Sequence, residues 1–97
     1  MRAVVRGEVF EQPGAGYAVV IQADEFLALS TVLVSPTSTS APARSFRPMV
    51  EVAGTSTRVL VEQTTAISPE RLGESVGRLT ANELRDLDAA LAFMLGL

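Results

Sequence analysis

Neither cysteine nor histidine occurs in the 97 residues. The first absence excludes a disulfide framework and thiolate metal ligands. The second removes the usual acid–base side chain and the commonest metal ligand, so no zinc site and no metal cofactor are expected. Lysine is missing too, and all eight basic residues are arginine. Arginine is the better side chain for bidentate phosphate contacts, but coding bias in a GC-rich genome produces the same usage. Aromatic residues make up 5% of the chain, so aliphatic side chains must supply most of the core. No stretch approaches the roughly 20 apolar residues that span a bilayer, so no membrane association is expected. The start, MRAVVRGEVF, has its apolar run cut by Arg6 and Glu8, and no signal peptide is expected there.

What is present fits one domain over residues 1–97, long enough for a single core of modest stability. The net charge of −3 is unevenly placed. Residues 1–60 balance five Arg against five Asp and Glu, and residues 61–97 carry the whole excess. An acidic chain is a poor general nucleic-acid binder, so any RNA contact has to be local.

Tyr17 to Ser38, YAVVIQADEFLALSTVLVSPTS, holds two near-continuous apolar runs, each leading into a polar segment. Such β-branched runs read as strands buried on both faces. Strands are expected over Val4–Phe10, Tyr17–Gln22, Thr31–Ser35, Met49–Val52 and Arg58–Glu62, with a last short one within Leu72–Leu79. Gln12–Gly16 and Ala53–Thr57 read as turns, Asp24–Leu29 as a helical turn or loop, and Ser35–Pro48 as a surface loop with three prolines. Ser68-Pro69-Glu70-Arg71 reads as a short helix start. Thr80 and Glu83 form a capping box, and Leu84, Leu87, Leu91, Met94 and Leu95 make one stripe that predicts a helix packed on the sheet, ended by Gly96. The class is α+β: a small, strongly curved antiparallel sheet, an SH3-like partial barrel, with a C-terminal helix packed on it.

In order and spacing these pieces resemble the MazF/PemK toxin family, the RNA-cleaving halves of bacterial toxin–antitoxin pairs. The resemblance is carried by Arg6-Gly7-Glu8-Val9-Phe10, by Ala18–Asp24, by Val32–Ser38, by Val61-Glu62-Gln63 with Ile67 and Arg71-Leu72, and by Gly77-Arg78-Leu79-Thr80 with the Leu95-Gly96-Leu97 finish. It implies a cytoplasmic homodimer whose groove binds single-stranded RNA, and an acidic, partly disordered antitoxin that competes for that groove. It also implies metal-independent, sequence-selective cleavage that leaves a 2′,3′-cyclic phosphate and a 5′-OH. Thr37 falls where the family keeps a Thr that contacts the scissile phosphate, and Ser38 follows as the family's Ser often does. Glu62 stands where an Asp is usual. The family's second strand begins Arg-Pro, with the Arg on the reacting phosphate; here Gly16-Tyr17 stand there, after a shortened loop.

Without histidine, the catalytic candidates are Thr37, Glu62, Arg44 and Arg47, with Ser38, Tyr17, Phe46 and Arg6 as candidate RNA contacts. Each also has a plain structural reading. Thr37 and Ser38 can satisfy their own turn, and Glu62, which needs a pKa raised by burial to act as a base, can be a solvent-facing strand carboxylate. Arg44 and Arg47 flank Phe46, an arrangement that stacks a base and clamps a phosphate or that turns one Phe inward between two solvated Arg. Tyr17 is a general-acid candidate or a strand-end packing residue, and Arg6 reads as a salt-bridge partner. The competing function is a catalytically degenerate relative that acts by protein binding alone, on an antitoxin or a gyrase-type target.

Overall fold

The valine-rich runs form the middle of a single antiparallel sheet. The computed structural model describes residues 4–14, 16–26 and 30–97. Seven strands occur in chain order: β1 (Glu8–Glu11), β2 (Tyr17–Val20), β3 (Val32–Ser38), β4 (Met49–Val52), β5 (Thr55–Val59), β6 (Thr65–Ile67) and β7 (Ser75–Arg78). One helix, α1 (Ala81–Leu95), follows them. The sheet runs β4-β5-β3-β2-β1-β7 and curls into a half-barrel, with β6 sharing the edge of β3.

Side-chain alternation gives this sheet two buried faces. Val9, Val19, Val50, Val52, Val59 and Val61 pack with Leu79, Leu87 and Ala90 on the helix side. Phe10, Ala18, Val20, Val32, Val34 and Leu72 pack on the other. Successive residues of β1 and β2 thus bury alternately into different cores, which is why the runs read as continuous rather than alternating.

Strand β3 departs from the expected Thr31–Ser35 and carries on to Ser38. Its first half pairs with β6, Val32 opposite Ile67, and its last residues pair with β5, Thr37 opposite Val59 and Ser38 opposite Arg58. Pro36 stands at the changeover. Its carbonyl accepts from Leu60 N at 2.8 Å, so the N–H that proline lacks faces the gap between β6 and β5, where no ladder bond is lost. Thr37 and Ser38 are therefore held on a strand rather than in the loop expected for Ser35–Pro48.

The second correction concerns β5. Ala53 and Gly54 have φ of 51° and 81°, a two-residue type I′ hairpin turn that brings Thr55 directly opposite Val52. The strand is thereby Thr55–Val59 instead of Arg58–Glu62, and Glu62 lies on a 3₁₀ turn, Val61–Gln63. The three residues of β6 were not expected at all. At the other end, β1 begins at Glu8, not Val4, because Gly7 turns the chain at φ 84° and donates to Val20 O at 2.8 Å. Strand β2 ends at Val20, a 3₁₀ turn covers Asp24–Phe26, and residues 27–29 of the expected turn lie outside the described residues.

The capping box is formed as expected: Thr80 Oγ1 accepts from Glu83 N at 3.1 Å and Glu83 Oε1 accepts from Thr80 N at 2.8 Å. Gly96, in the left-handed region, ends α1. The apolar stripe packs only as far as Leu91; Met94 and Leu95 reach past the sheet and are exposed.

Candidate active site

The shared register of β2, β3 and β5 places the site. Ala18 lies opposite Pro36, so Tyr17 stands against Thr37, and Thr37 in turn lies opposite Val59. Opposed residues share a face, which puts Tyr17 and Thr37 on the helix-side face with Val59 and, two residues before it, Thr57. Tyr17, Thr37, Ser38, Thr55 and Thr57 line a cleft of about 450 Å³ with Val52 and Ala53 at its apolar side. Thr37 Oγ1 donates to Tyr17 O at 3.4 Å, a long and weak bond that leaves the hydroxyl available. Thr57 is only 3% exposed, and its Oγ1 has no hydrogen-bond partner. No charged side chain lines the cleft.

The cleft continues beyond Tyr17. Gly16 and Tyr17 also line a second cleft of about 450 Å³ with Glu11, Gln12 and Gly73. Gln12 and Pro13 line a third, of about 410 Å³, which ends at Ile67 and Arg71. The first two clefts share Gly16 and Tyr17, and the last two share Gln12 and Pro13, so the three neighbour one another. Gly14 and Gly16, which both line the middle cleft, have positive φ. Gly73 fits there because a Cβ would stand 3.0 Å from Glu11 O.

The other candidates form a separate cluster. Arg47 Nε and Nη2 donate to Glu62 Oε2 at 3.0 and 2.6 Å, and Nη1 donates to Pro42 O at 3.0 Å. The guanidinium also lies 5.4 Å from the centre of the Phe46 ring, and Phe46 packs against the helix-side core. Arg47 holds the Glu62 carboxyl below the usual glutamate range, whereas a general base near neutrality needs the opposite shift. Arg44 is exposed, its Nη1 donating to Ala43 O at 2.8 Å. Arg6 joins the end of β2 to α1: Nε donates to Ile21 O at 2.9 Å and Nη2 pairs with Asp88 Oδ1 at 2.7 Å.

Of the sequence candidates, the structure thus brings Tyr17, Thr37 and Ser38 together, groups Phe46, Arg47 and Glu62 elsewhere with Arg44 joined to them through its backbone (Arg47 N donates to Arg44 O at 3.0 Å), and leaves Arg6 apart from both. Sequence reasoning missed Thr55, Thr57 and Arg58. Arg58 lies directly across from Ser38 and, among the described residues, makes no ion pair. Nothing in the string TSTRV marks these positions; only its pairing with β3 does. Among the described residues no three His, Cys, Asp or Glu side chains come together as a metal site requires.

Residues 6–95 match the family model of the PemK-like, MazF-like toxin of type II toxin–antitoxin systems. The chain belongs to this family. A Mycobacterium tuberculosis protein (strain ATCC 25618 / H37Rv), named as toxin Rv3098A/RVBD_3098A, is 40% identical over 106 aligned residues, covering 97% of this chain and 99% of the relative. An endoribonuclease from a mycobacterial species has the same fold, with a TM-score of 0.86 at 20% identity over 100% of this chain and 95% of the other. An endoribonuclease solved with its cognate antitoxin, also mycobacterial, gives 0.86 at 19% identity over 98% and 97%. The half-barrel with its terminal helix is thus the fold of this toxin family. Within it, this PemK/MazF-like toxin lines the cleft beside the end of β3 with neutral side chains.

Proposed function

We propose that this toxin is a metal-independent endoribonuclease that cuts single-stranded RNA and is neutralised by a cognate antitoxin. The observation that carries the reading is the position of Thr37: a hydroxyl held on a paired strand, in a cleft with a second cleft beside it across Gly16 and Tyr17. The fold shared with the mycobacterial endoribonucleases supports it, and the antitoxin complex of one of them supports the partner.

Cleavage follows from the chemistry of RNA. The 2′-oxygen bonds to the adjacent phosphorus as its proton leaves, and the bond from phosphorus to the 5′-oxygen breaks as that oxygen takes up a proton. The products are a 2′,3′-cyclic phosphate and a 5′-OH. Thr37 Oγ1 donates to a phosphoryl oxygen as charge builds there, the kind of interaction that supplies the largest share of catalysis. Arg44, exposed in the loop that leaves the cleft at Thr39, is a cation available to the phosphate. Arg47 and Glu62 brace that loop. Arg71, exposed at the wall of the third cleft, meets the backbone of a neighbouring nucleotide. The active form is a homodimer, which covers the apolar end of α1.

The test is incubation of the purified protein with a long RNA in excess EDTA, with cut sites and end groups mapped. Recurrent cuts at a short motif with cyclic-phosphate ends are expected, and Thr37→Ala lowers the rate by about 10²–10³-fold. A folded wild-type protein that leaves RNA intact overturns the reading.

A further inference from the structure

We propose that Ser38, Arg47 and Glu62 are positioning residues that hold residues 39–48 as one fixed loop and so set Arg44 against the phosphate that Thr37 meets. The proposal rests on the nuclease reading of Thr37 and goes beyond it by assigning how this chain places its cation.

The neutral cleft creates the need. Charge that builds on a phosphate beside Thr37 has to be met by a cation from outside the lining. Among the described arginines, Arg6 and Arg47 are held in ion pairs and Arg85 is bonded to Asn82. Arg58 shares a face with Ser38 and not with Thr37. Arg71 stands at the third cleft, and Arg78 lies on β7, with β1 and β2 between it and β3. Arg44 is left. It is exposed, lies in the loop that leaves the cleft at Thr39, and among the described residues makes no ion pair.

An arginine on a loose loop gives up much of its attraction to the entropy of ordering. Here a closed circuit of hydrogen bonds orders the loop in advance. At its start, Ser38 Oγ accepts from Ser40 N at 3.3 Å and from Ala41 N at 3.1 Å. In its middle, Pro42 O accepts from Arg47 Nη1, and Arg47 N donates to Arg44 O, closing a turn that Arg44 opens. At its end, Pro48 O accepts from Val59 N at 2.9 Å. Arg47 hands the circuit to Glu62, and the 3₁₀ turn bearing Glu62 returns it to β3. There Thr64 Oγ1 donates to Val61 O at 2.8 Å and lies 2.8 Å from Ser35 Oγ. Ser35 and Ser38 belong to the strand that carries Thr37, so the circuit begins and ends on it.

Stability alone does not account for the Arg47–Glu62 pair. Desolvation offsets much of the attraction between largely buried charges. Glu62 Oε1 is moreover buried with no hydrogen-bond partner among the described residues, a further cost. What two guanidinium donors on one carboxylate do supply is a fixed direction.

Cleavage of a long RNA in excess EDTA, followed at rising protein concentration, separates the limiting rate from the half-saturating concentration. Arg47→Met keeps an apolar stem and removes the clamp. It is expected to lower the limiting rate about 10²-fold and to leave half-saturation nearly unchanged. Arg44→Gln is expected to slow the same step, and the double variant to be no slower than Arg44→Gln, because Arg47 acts through Arg44. Losses that multiply in the double variant overturn the proposal, as does an Arg47→Met that cuts at the wild-type rate. Hydrogen exchange reads the loop without RNA: the amides of Ala41 and of residue 47 are expected to exchange faster in Arg47→Met, while those of β2 stay protected. Unchanged exchange at both loop amides overturns the clamp. If β2 loses protection as well, Glu62→Gln, which keeps the side chain's shape, takes the place of Arg47→Met in both measurements. A wild type that leaves RNA intact removes the nuclease reading and this role with it. A wild type that cuts, beside an unslowed Arg47→Met, removes the role alone.

Discussion

Arg47 commits two N–H groups to one oxygen of Glu62 and a third to Pro42 O, while its flat face covers Phe46. A guanidinium so fully engaged fixes the loop between β3 and β4 against the 3₁₀ turn and has little left for a substrate. The same contacts hold the Glu62 carboxyl low, the hydrogen bond from Arg47 outweighing the opposing effect of burial. The sign of the consequence is fixed by linkage. With a folded pKa below the ordinary value of 4.5, ionised Glu62 favours the folded state. That contribution is complete above the ordinary value and is lost as pH falls through the folded one. Thermal melts of wild type and Glu62→Gln should therefore differ at neutral pH and converge in acid, below the ordinary carboxylate range. A difference that stays constant from pH 7 to pH 3 refutes the brace. Thr37 sits at the other extreme, since its one long bond to Tyr17 O makes it nearly dispensable to the fold.

Helix α1 is anchored at its first turn by one side chain acting twice. Glu83 Oε1 accepts from Thr80 N, and Glu83 Oε2 accepts from Glu51 N on β4 at 2.8 Å. The capping box thus also docks the helix onto the sheet edge. Thr80→Ala removes the cap to Glu83 N and should cost about 0.5–2 kcal/mol. Glu83→Ala strands two backbone donors and should cost more, as urea unfolding at one fixed protein concentration will show; the reverse order refutes the tether. The box was legible because both its residues are local in sequence, as were the β-branched strands β2 and β4. What was not legible depends on partners far along the chain. Pro36 argues against a strand until β6 and β5 are seen to divide its edge between them. Thr55-Ser56-Thr57 reads as the end of a turn until Ala53-Gly54 folds it onto β4. Thr37 and Ser38 were singled out through the family's order of motifs, and Tyr17 as the residue that opens the second strand. Thr57 became visible only through the register with β3, and no local pattern reveals a register.

The molecule as a whole leaves its last apolar residues without cover. Phe93 and Leu95 are each 67% exposed, and Leu97 and Met94 continue the same end of α1. The stripe that begins with Leu84 and Leu87 in the core runs on past Leu91 into solvent. Single exposed apolar residues are ordinary, but several at one helix end are the mark of an interaction surface. The homodimer proposed above gives that surface a partner of the same kind, because a two-fold axis sets like against like. Sedimentation of the purified protein should give a dimer, and Phe93→Asp with Leu95→Asp should give a monomer. Both side chains lie outside the core, so the double variant should keep the far-ultraviolet dichroism of wild type and its folded baseline. A double variant that sediments as wild type does would place the dimer contact elsewhere on the molecule. A wild type that sediments as a monomer would remove the dimer altogether, and with it the cover for α1.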